Sequence, residues 1–400
     1  MWHGGLLALL LGAGSLLTAG CDATDAGVPD PRYQDLRPGD PLPGLTEEQE
    51  VRFRQGHALF QKIFTPEEGL GPLFNENACN ACHTDPADGG TGDQFLQRAA
   101  HFTENGGCDL LLDEGGDNLR QQVTPALAAH GVEGDTVPGR ANATGRFDVP
   151  FVFGLGLVEA IPEATILSRE DPEDRNRDGV SGRASRDEEG RVLRFGRKAH
   201  IATLLEFNEE AARLEMGLTT PMNPEEVGPN RGAVMSGTDP AADPEVDMET
   251  LELLTDFVRF LAPVSRILPE DPDELALVER GERLFDEIGC SACHRPSMET
   301  GPHEVEALDR KRVHLYSDLL LHDMGPTLAD VCGPDAGTSE LRTEMLMGLS
   351  YRNQFLHDGR ARSLQDAIEL HGGEASRARD RFLELSWGNR GALIRFLDTL

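Results

Sequence analysis

Aromatic and basic residues are both scarce in this chain of 400 residues. It has two tryptophans and three tyrosines, and its 37 Lys and Arg residues stand against 70 Asp and Glu, a formal net charge of −33. A chain this acidic repels phosphate backbones, so we exclude nucleic acid as a partner. The charge either keeps the protein soluble or attracts a basic partner. With 38% hydrophobic and 27% charged residues, the composition is that of a globular protein.

Long apolar runs are also missing, apart from residues 6–17, which are too few and too N-terminal for a membrane span. This run is followed by Thr18, Ala19, Gly20 and Cys21. Small residues before a cysteine resemble the lipobox of bacterial lipoproteins. That resemblance implies cleavage before Cys21 and its lipidation, although no Lys or Arg stands at the start, and an ordinary secretory signal is the alternative.

We therefore predict a signal peptide over residues 1–20 and a flexible tether, rich in Asp, Pro and Gly, over residues 21–45. The mature protein is expected to be periplasmic or on the cell surface. Its only membrane attachment would be the lipid on Cys21.

Four of the seven cysteines form two motifs of the pattern C-x-x-C-H, CNACH at residues 79–83 and CSACH at residues 290–294. On a tight helical turn, the two cysteines of C-x-x-C-H reach the vinyl groups of one porphyrin, and the histidine points at the iron. The motifs predict two covalently bound haem c groups. A zinc site would require the two cysteine pairs, 211 residues apart, to come together, and a redox dithiol does not need the trailing histidine, least of all twice. The residues involved are Cys79, Cys82, Cys290 and Cys293 for attachment, with His83 and His294 as axial ligands.

Two further cysteines, Cys108 and Cys332, lie outside the haem motifs. In an oxidising compartment they could form a disulfide between the two halves of the chain. They could equally be two unpaired thiols, because sequence does not give the distance between their Cα atoms.

Both haem motifs follow the same pattern, with G-x-x-L-F inside an amphipathic helical stretch at residues 56–60 and again at residues 281–285. Each half also closes with aliphatic and aromatic residues at helical spacing, over residues 248–261 and 392–400. A first helix, a C-x-x-C-H turn and a packed last helix are the layout of cytochrome c. We therefore predict a mainly α fold with two cytochrome c-like domains.

The predicted domains cover residues 46–264 and 272–400, with a Pro-rich acidic linker at residues 268–272. The first is far too long for a bare cytochrome c. Between His83 and Met248 the chain has many Gly and Pro residues and little regular β alternation, so we expect an insertion of loops and short helices around the first haem.

Seven short segments together form a pattern that is specific for one protein family, although no single segment is. They are GLGPLFN at 69–75, FGLGLVEAIP at 153–162, DGVSGR at 178–183, RFGRKA at 194–199, SDLLLHDMGP at 317–326, FLHDGRA at 355–361 and HGGEA at 371–375. Together they resemble the di-haem oxidoreductases, a peroxidase-like family also labelled thiol oxidoreductases and related to bacterial di-haem cytochrome c peroxidases. The resemblance implies a peroxidase-type enzyme.

The sixth ligand of each iron decides between electron transfer and catalysis, because a strong second ligand closes the iron. For the C-terminal haem we favour His371, which follows a predicted helix over residues 363–370; the resembling peroxidases have a distal Met in this segment. Met324 is the alternative ligand, and core packing is its simpler explanation. We expect His322 and His357 to be hydrogen-bonding or haem-edge residues.

No sixth ligand stands out for the N-terminal haem. The candidates are His101, His130, His200 and Met216. The resemblance implies an open or weakly closed iron where a peroxide binds, and cleavage of the O–O bond is helped by a nearby acid or base. Glu159, in an apolar run, is our candidate for that catalytic role. A structural salt bridge, for instance with Arg146, is the alternative.

Residues 174–179 match D-x-N-x-D-G, the start of a calcium-binding loop of the EF-hand type. Asp174, Asn176 and Asp178 would supply alternate oxygen ligands. The twelfth position is Ser185 in place of the usual Glu, so this is no true EF-hand. Relatives in the resembling family do hold Ca²⁺ between their domains, and the sequence leaves Ca²⁺ and a solvated acidic turn as alternatives.

The sequence as a whole predicts an exported di-haem c oxidoreductase that passes electrons from the C-terminal to the N-terminal haem, which reacts with a peroxide-type substrate. The donor would be a small redox protein, a basic one suiting the charge, or a quinol-linked chain. A non-enzymatic electron-transfer cytochrome is the alternative, and a role in metal or thiol redox traffic would require Cys108 and Cys332 to be free.

One departure from the resembling enzymes concerns tryptophan, which those relatives place between their haems. Here the two tryptophans are Trp2 and Trp387, so neither is available as such a bridge. Tyr316, Tyr351 or a phenylalanine would have to take its place, or the haems would have to be close together.

Overall fold

The computed structural model describes residue 1 and residues 35–400. The predicted signal peptide, the lipidation site Cys21 and most of the predicted tether therefore lie outside the described residues. Helical residues outnumber strand residues, 32% to 12%, in agreement with the predicted mainly α class. Within the described residues, every helix is too short or too polar to span a bilayer.

Helices within residues 35–400 range from single turns to four and a half turns. They are α1 (Glu47–Phe60), α2 (Cys79–Cys82), α3 (Pro125–Ala128), α4 (Leu155–Glu159), α5 (Glu163–Leu167), α6 (Leu204–Met216), α7 (Met248–Phe260), α8 (Pro272–Glu287), α9 (Leu364–Leu370), α10 (Ser376–Glu384) and α11 (Trp387–Leu397). Their starts follow local chemistry. Thr46 and Gln49 form a reciprocal capping box at α1, and Asp271 caps α8 ahead of Pro272. The last helix begins earlier than predicted, because Ser386 caps it.

The strands are short and pair only antiparallel. They are β1 (Leu73–Phe74), β2 (Phe95–Phe102), β3 (Cys108–Asp109), β4 (Gln122–Val123), β5 (Ala143–Asp148), β6 (Ser185–Arg186), β7 (Val192–Leu193), β8 (Met298–Glu299), β9 (Arg312–Val313), β10 (Leu321–Asp323) and β11 (Glu340–Arg342). Strands β3, β2 and β5 form a three-stranded sheet in that order, and the other sheets are pairs: β1 with β4, β6 with β7, β8 with β9, and β10 with β11.

The prediction of an insertion made only of loops and short helices is wrong in two places. Strand β2 has eight residues and pairs with β5 over six of them, and α6 has 13 residues. The strand escaped recognition because neighbouring residues of it, which point to opposite faces of the sheet, are both buried. Its central residues Ala99 and Ala100 are both fully buried, so no alternation of polar and apolar residues marks it.

The repeated G-x-x-L-F pattern marks a close crossing of two helices in each half. Helix α1 packs on α7, and α8 packs on α11. A Cβ atom on Gly56 would lie 2.0 Å from the carbonyl oxygen of Leu253, and one on Gly281 would lie 2.0 Å from that of Ala392. Only glycine permits this approach of one backbone to the other.

The phenylalanine of each pattern has the same surroundings in both halves. The ring of Phe60 lies 4.8 Å from that of Phe257 on α7, and the ring of Phe285 lies 5.4 Å from that of Phe396 on α11, centroid to centroid. These are ordinary distances for packed aromatic rings. The two halves therefore repeat one helix-pair design, as the sequence predicts.

The hydrophobic core does not divide at the predicted domain boundary. The largest buried cluster contains Phe257 and Val158 from the first half, and also Met298, Val313 and Leu320 from the second. A disulfide joins Cys108 to Cys332, which resolves the alternative that the sequence left open. The boundaries at 264 and 272 remain a prediction.

We predict that Gly56→Ala and Gly281→Ala each lower the free energy of unfolding by about 1–3 kcal/mol, because the added methyl group meets a backbone carbonyl. Elsewhere in a helix the same change stabilises by about 0.5–1 kcal/mol. Denaturant unfolding of the haem-loaded protein, followed by circular dichroism, measures the difference.

Gly391→Ala is the matched control, because Gly391 lies inside α11 and a Cβ atom added there would have no neighbouring atom within 4 Å outside its own helix. It should leave stability unchanged or raise it. A destabilisation of the same size in all three variants would contradict the helix-crossing explanation.

Candidate functional site

The two motif histidines are held in the same way. Nδ1 of His83 donates a hydrogen bond to the carbonyl oxygen of Gly90 at 2.9 Å, and Nδ1 of His294 donates to that of Tyr316 at 3.0 Å. Their rings lie 6.1 and 6.4 Å from Phe60 and Phe285, respectively. With Nδ1 occupied, each imidazole presents Nε2 to a metal.

Burial keeps both imidazoles in the neutral form that binds a metal. It lowers the pKa of His83, and it lowers the pKa of His294 to about 4, with the neighbouring His371 as a second cause. These shifts suit an axial ligand, which must offer a lone pair.

A cavity of about 410 Å³ opens beside the second motif. Cys290, Cys293 and His294 line one part of it, together with apolar side chains of α8, α9 and α11. His371 lines it as well, and Nδ1 of His371 donates to the carbonyl oxygen of Ala367 at 2.7 Å. A volume of this order suits a cofactor.

The rings of His294 and His371 lie 6.5 Å apart, centroid to centroid. Two imidazoles on one iron, with iron–nitrogen distances of about 2 Å, have ring centroids about 6 Å apart. The observed spacing therefore fits a haem iron between the two rings. Met324 also lines the cavity, but this spacing favours His371 as the second ligand.

Arg197, Arg342, Arg352 and Glu344 line one wall of the cavity, and the buried carboxylate of Asp148 pairs with two of these arginines. Asp148 pairs with Arg197 and Arg352, while Glu344 pairs with Arg197 at 2.6 Å and with Arg342 at 3.1 Å. Burial alone would raise the pKa of Glu344, but the three guanidinium groups outweigh it and lower that pKa to about 2. Within this group positive charge exceeds negative by one, which suits the carboxylates of a haem edge.

His322 lies on the same cavity with a carboxylate at each ring nitrogen. Its Nε2 bonds to Asp318 at 2.9 Å and its Nδ1 to Glu374 at 2.8 Å, while the Sγ of Cys293 is 3.8 Å away. Burial opposes a charge on His322, but the contacts with Asp318, with the thiol of Cys293 and with Glu374 outweigh it, and the pKa rises to about 12. His357, bonded to Asp330 at 3.2 Å, also lines the cavity, so both histidines are hydrogen-bonded residues beside it, as expected.

Thiolate chemistry is disfavoured at the motif cysteines. Burial raises the pKa of Cys79, Cys82 and Cys290 to about 12, whereas reactive cysteines have a lowered pKa. With Cys108 and Cys332 joined in a disulfide, the interpretation as a thiol redox protein loses its proposed thiols.

The four candidate ligands of the N-terminal haem have other surroundings. Nδ1 of His101 donates to the carbonyl oxygen of Arg140, His130 is exposed beyond α3, and His200 pairs with Glu210 at 3.1 Å. Met216 is buried in a small cluster against which Cys79 packs. Within residues 35–400 no ring contact joins any of the three histidines to His83, so an open iron remains the expectation.

The surroundings of Glu159 favour the structural alternative over the catalytic one. Its Oε1 accepts a hydrogen bond from the backbone N–H of Leu204, at the start of α6, and its Oε2 accepts one from Nε of Arg259 on α7 at 2.9 Å. Both oxygens therefore link helices. The salt-bridge alternative is supported, with Arg259 as the partner in place of Arg146, which lies over the ring of Phe95.

The calcium-like loop is closed by its own hydrogen bonds. Oδ1 of Asp174 accepts from the N–H of Gly179, and Nδ2 of Asn176 donates to Asp178 at 3.0 Å. This is how a solvated Asx turn looks. Ca²⁺ at Asp174, Asn176 and Asp178 remains an untested prediction.

The sequence interpretation missed the charged wall and the carboxylates around His322. Arg197, Asp318 and Glu374 do stand in the segments that carried the family resemblance. Arg342 and Glu344 lie in no motif, and only the folded chain brings them to Arg197.

Residues 141–400 match the family described as "Di-haem oxidoreductase, putative peroxidase". The chain belongs to this family. The match covers more than half of the sequence and includes the second haem motif, His371 and the charged wall. The first motif, at residues 79–83, precedes it. As a family member, the chain is expected to carry haem cofactors and to act as an oxidoreductase. No curated protein matches the chain.

Three solved structures are among those similar to this chain. A hydrazine synthase from Kuenenia stuttgartiensis is 14% identical, with 99% of this chain and 100% of that chain covered and a TM-score of 0.43. A MauG-like protein associated with microbial copper homeostasis is 15% identical (92% and 94% covered, TM-score 0.39). The diheme peroxidase BthA from Burkholderia thailandensis is 15% identical (88% and 86% covered, TM-score 0.41).

We predict that Glu159→Gln lowers the free energy of unfolding by about 1–3 kcal/mol, because it weakens a charged contact between helices. The rate of reaction with peroxide should stay within about twofold of the wild-type rate, since a general acid or base contributes about 100-fold or more. Stopped-flow spectroscopy gives the rate and denaturant unfolding the stability. Unchanged stability together with a reaction slower by about 100-fold would restore the catalytic interpretation.

A second prediction concerns pH. The pKa of His322 is raised in the fold from 6.5 to about 12, so its stabilising charge is fully present below pH 6.5 and is lost as the pH rises towards 12. The difference in unfolding free energy between wild type and His322→Gln should therefore shrink from about pH 6 to about pH 9, by at most about 1.4 kcal/mol per pH unit. A constant difference would mean that His322 is neutral in the fold.

Proposed function

We propose that this protein is an exported di-haem c peroxidase in which the C-terminal site receives electrons and the N-terminal site reduces a peroxide-type substrate. The observation that carries the proposal is the unequal surroundings of the two motif histidines. His294 has a second imidazole, that of His371, at a spacing suited to one iron. His83 has no such partner within residues 35–400.

The difference assigns a task to each site. An iron with two histidine ligands exchanges electrons with little change in structure, whereas an iron with a free sixth position binds a small oxidant. When bound, the two haems supply this one-electron chemistry. Reduction of hydrogen peroxide breaks its O–O bond and yields two waters, with two electrons and two protons taken up.

The residues of the chain hold and tune the haems in this proposal. Cys79 and Cys82 would attach the first haem, and Cys290 and Cys293 the second. The hydrogen bonds from Nδ1 to backbone carbonyls orient His83, His294 and His371 and raise their basicity as ligands. The arginine-rich wall would pair with the carboxylates of the second haem.

Export and electron supply complete the proposal. The disulfide between Cys108 and Cys332 supports an oxidising compartment, and the lipobox-like sequence before Cys21 supports a lipid-anchored protein in the periplasm or on the cell surface. Two electrons per peroxide would come from a small redox protein, of basic character to suit the acidic chain, or from a quinol-linked chain.

One observation favours the alternative of an electron-transfer cytochrome without catalysis. Met216 is buried in the cluster on which Cys79 packs, and a methionine thioether is a known axial ligand of haem c. If Met216 bound the first iron, both sites would be closed to peroxide.

We predict one low-spin and one high-spin iron in the half-reduced protein, by electron paramagnetic resonance and optical spectroscopy, and a spectral change of the high-spin iron on adding peroxide. His371→Ala should convert the C-terminal haem to high spin, because it removes the second strong ligand. Met324→Leu is the control for the rival ligand and should leave the spectra unchanged. Two low-spin irons that ignore peroxide in both redox states would leave the electron-transfer alternative.

A further inference from the structure

The segment that carries His371 lies directly against the end of β10. It runs through Gly372 and Gly373 to Glu374. A Cβ atom on Gly373, whose φ is +51°, would lie 2.0 Å from the carbonyl oxygen of Asp323. Glycine is therefore required for the segment to approach β10 this closely.

Glu374 fastens this segment with four hydrogen bonds. Its carboxylate accepts from the backbone N–H and the Oγ of Ser181, both at 2.8 Å, from Nδ1 of His322 at 2.8 Å and from the N–H of Asp323 at 3.2 Å. Four donors saturate the acceptor capacity of one carboxylate. Glu374 thus joins three parts of the chain, three residues beyond His371.

The donors are themselves fixed. His322 is bound from its other side by Asp318, and both side chains are only 3% exposed. The second oxygen of Asp318 accepts from the backbone N–H of Leu320 at 3.0 Å. Chains of hydrogen bonds to charged groups in a buried setting are strong and directional. The hydrogen-bond donors that hold Glu374 are therefore themselves fixed in place.

A second contact holds the backbone of the ligand itself. Nη1 of Arg379, on α10, donates to the carbonyl oxygen of His371 at 3.0 Å. This bond fixes the backbone of His371 from the α10 side, while Glu374 fixes the segment from the β10 side. The backbone that carries the His371 imidazole is therefore fixed on both sides, by Arg379 and by Glu374.

We propose that Glu374 is a positioning residue for His371: its carboxylate, bound to Ser181 and His322, holds the segment that places the His371 imidazole at the second iron. The proposal rests on the proposed function, in which His371 is the sixth ligand of the C-terminal haem. Ser181 stands in the segment before β6, so the ligation of the C-terminal haem depends on a residue of the first half of the chain.

Without this carboxylate the segment loses the charged group that fastens it to β10. Glutamine at position 374 has the same size, but its side-chain NH₂ group replaces one acceptor oxygen and would face the donors of Ser181 or His322. The His371–iron bond should then open more often, and the iron should admit added ligands that the wild-type protein excludes.

The test compares Glu374→Gln, Ser181→Ala and wild type as haem-loaded, full-length proteins. Imidazole and cyanide are the added probes. Loss of a residue that orients a metal ligand typically weakens ligation by about 10- to 100-fold. We therefore expect Glu374→Gln to bind either probe at the ferric C-terminal haem about 10-fold more tightly, to show a partly high-spin spectrum and to have a raised reduction potential. Ser181→Ala, which keeps the backbone bond, should change in the same direction by less.

Glu384→Gln is the matched control, since Glu384 is an exposed carboxylate at the end of α10. It should behave as wild type. Spin state and probe affinity distinguish positioning from a general loss of packing, which would lower the unfolding temperature without opening the iron. Should Glu374→Gln fail to fold, the milder Ser181→Ala alone decides.

His371→Ala separates the two hypotheses. If His371→Ala opens the iron while Glu374→Gln and Ser181→Ala keep wild-type spectra and affinities, the positioning role is wrong and the proposed function stands. If His371→Ala leaves the C-terminal haem low-spin, His371 is not the ligand and the positioning role is wrong, whereas the proposed function is then decided by whether the other iron responds to peroxide.

Discussion

A close crossing of two helices supports each half of the molecule. At Gly56 and Gly281 the first helix lies on a backbone carbonyl of the last helix, so no side chain fits between them. The crossing places Phe60 and Phe285 between a phenylalanine of the last helix and the histidine of the haem motif. The histidine then meets a backbone carbonyl with Nδ1 and presents Nε2. Both motif histidines are thus positioned by packed glycine and phenylalanine residues that do not themselves bind a metal.

The two halves differ in the residues that surround the motif histidine. On the C-terminal side the segment after α9 folds back on β10 and brings His371 to 6.5 Å from His294. Two consecutive glycines make that fold possible, and the carboxylate of Glu374 fixes it. On the N-terminal side the long insertion forms a sheet and α6 instead. Within residues 35–400, one design therefore yields a site with a second histidine beside the motif histidine and a site without one.

Local patterns account for what the sequence predicted well. C-x-x-C-H and G-x-x-L-F each span one or two helical turns, and the geometry they require is fixed by neighbours in sequence. The partners of Glu159 and of Asp148 were out of reach, because Arg259 and Arg352 follow 100 and 204 residues later. Strand β2 was missed for a different reason. Three consecutive residues in its middle are buried, so the alternation of polar and apolar residues that reveals a strand is absent there.

The missing tryptophan has a structural counterpart in phenylalanines. Phe151 and Phe153 line the C-terminal cavity, and between them the N–H of Val152 donates to the carbonyl oxygen of Gly89, next to the carbonyl that holds His83. Their rings pack 5.5 Å apart. A phenyl ring has no N–H or O–H group to release with an electron, so it is a poor store of an oxidising equivalent. Phe151 and Phe153 are therefore poor replacements for a tryptophan as the carrier of an oxidising equivalent.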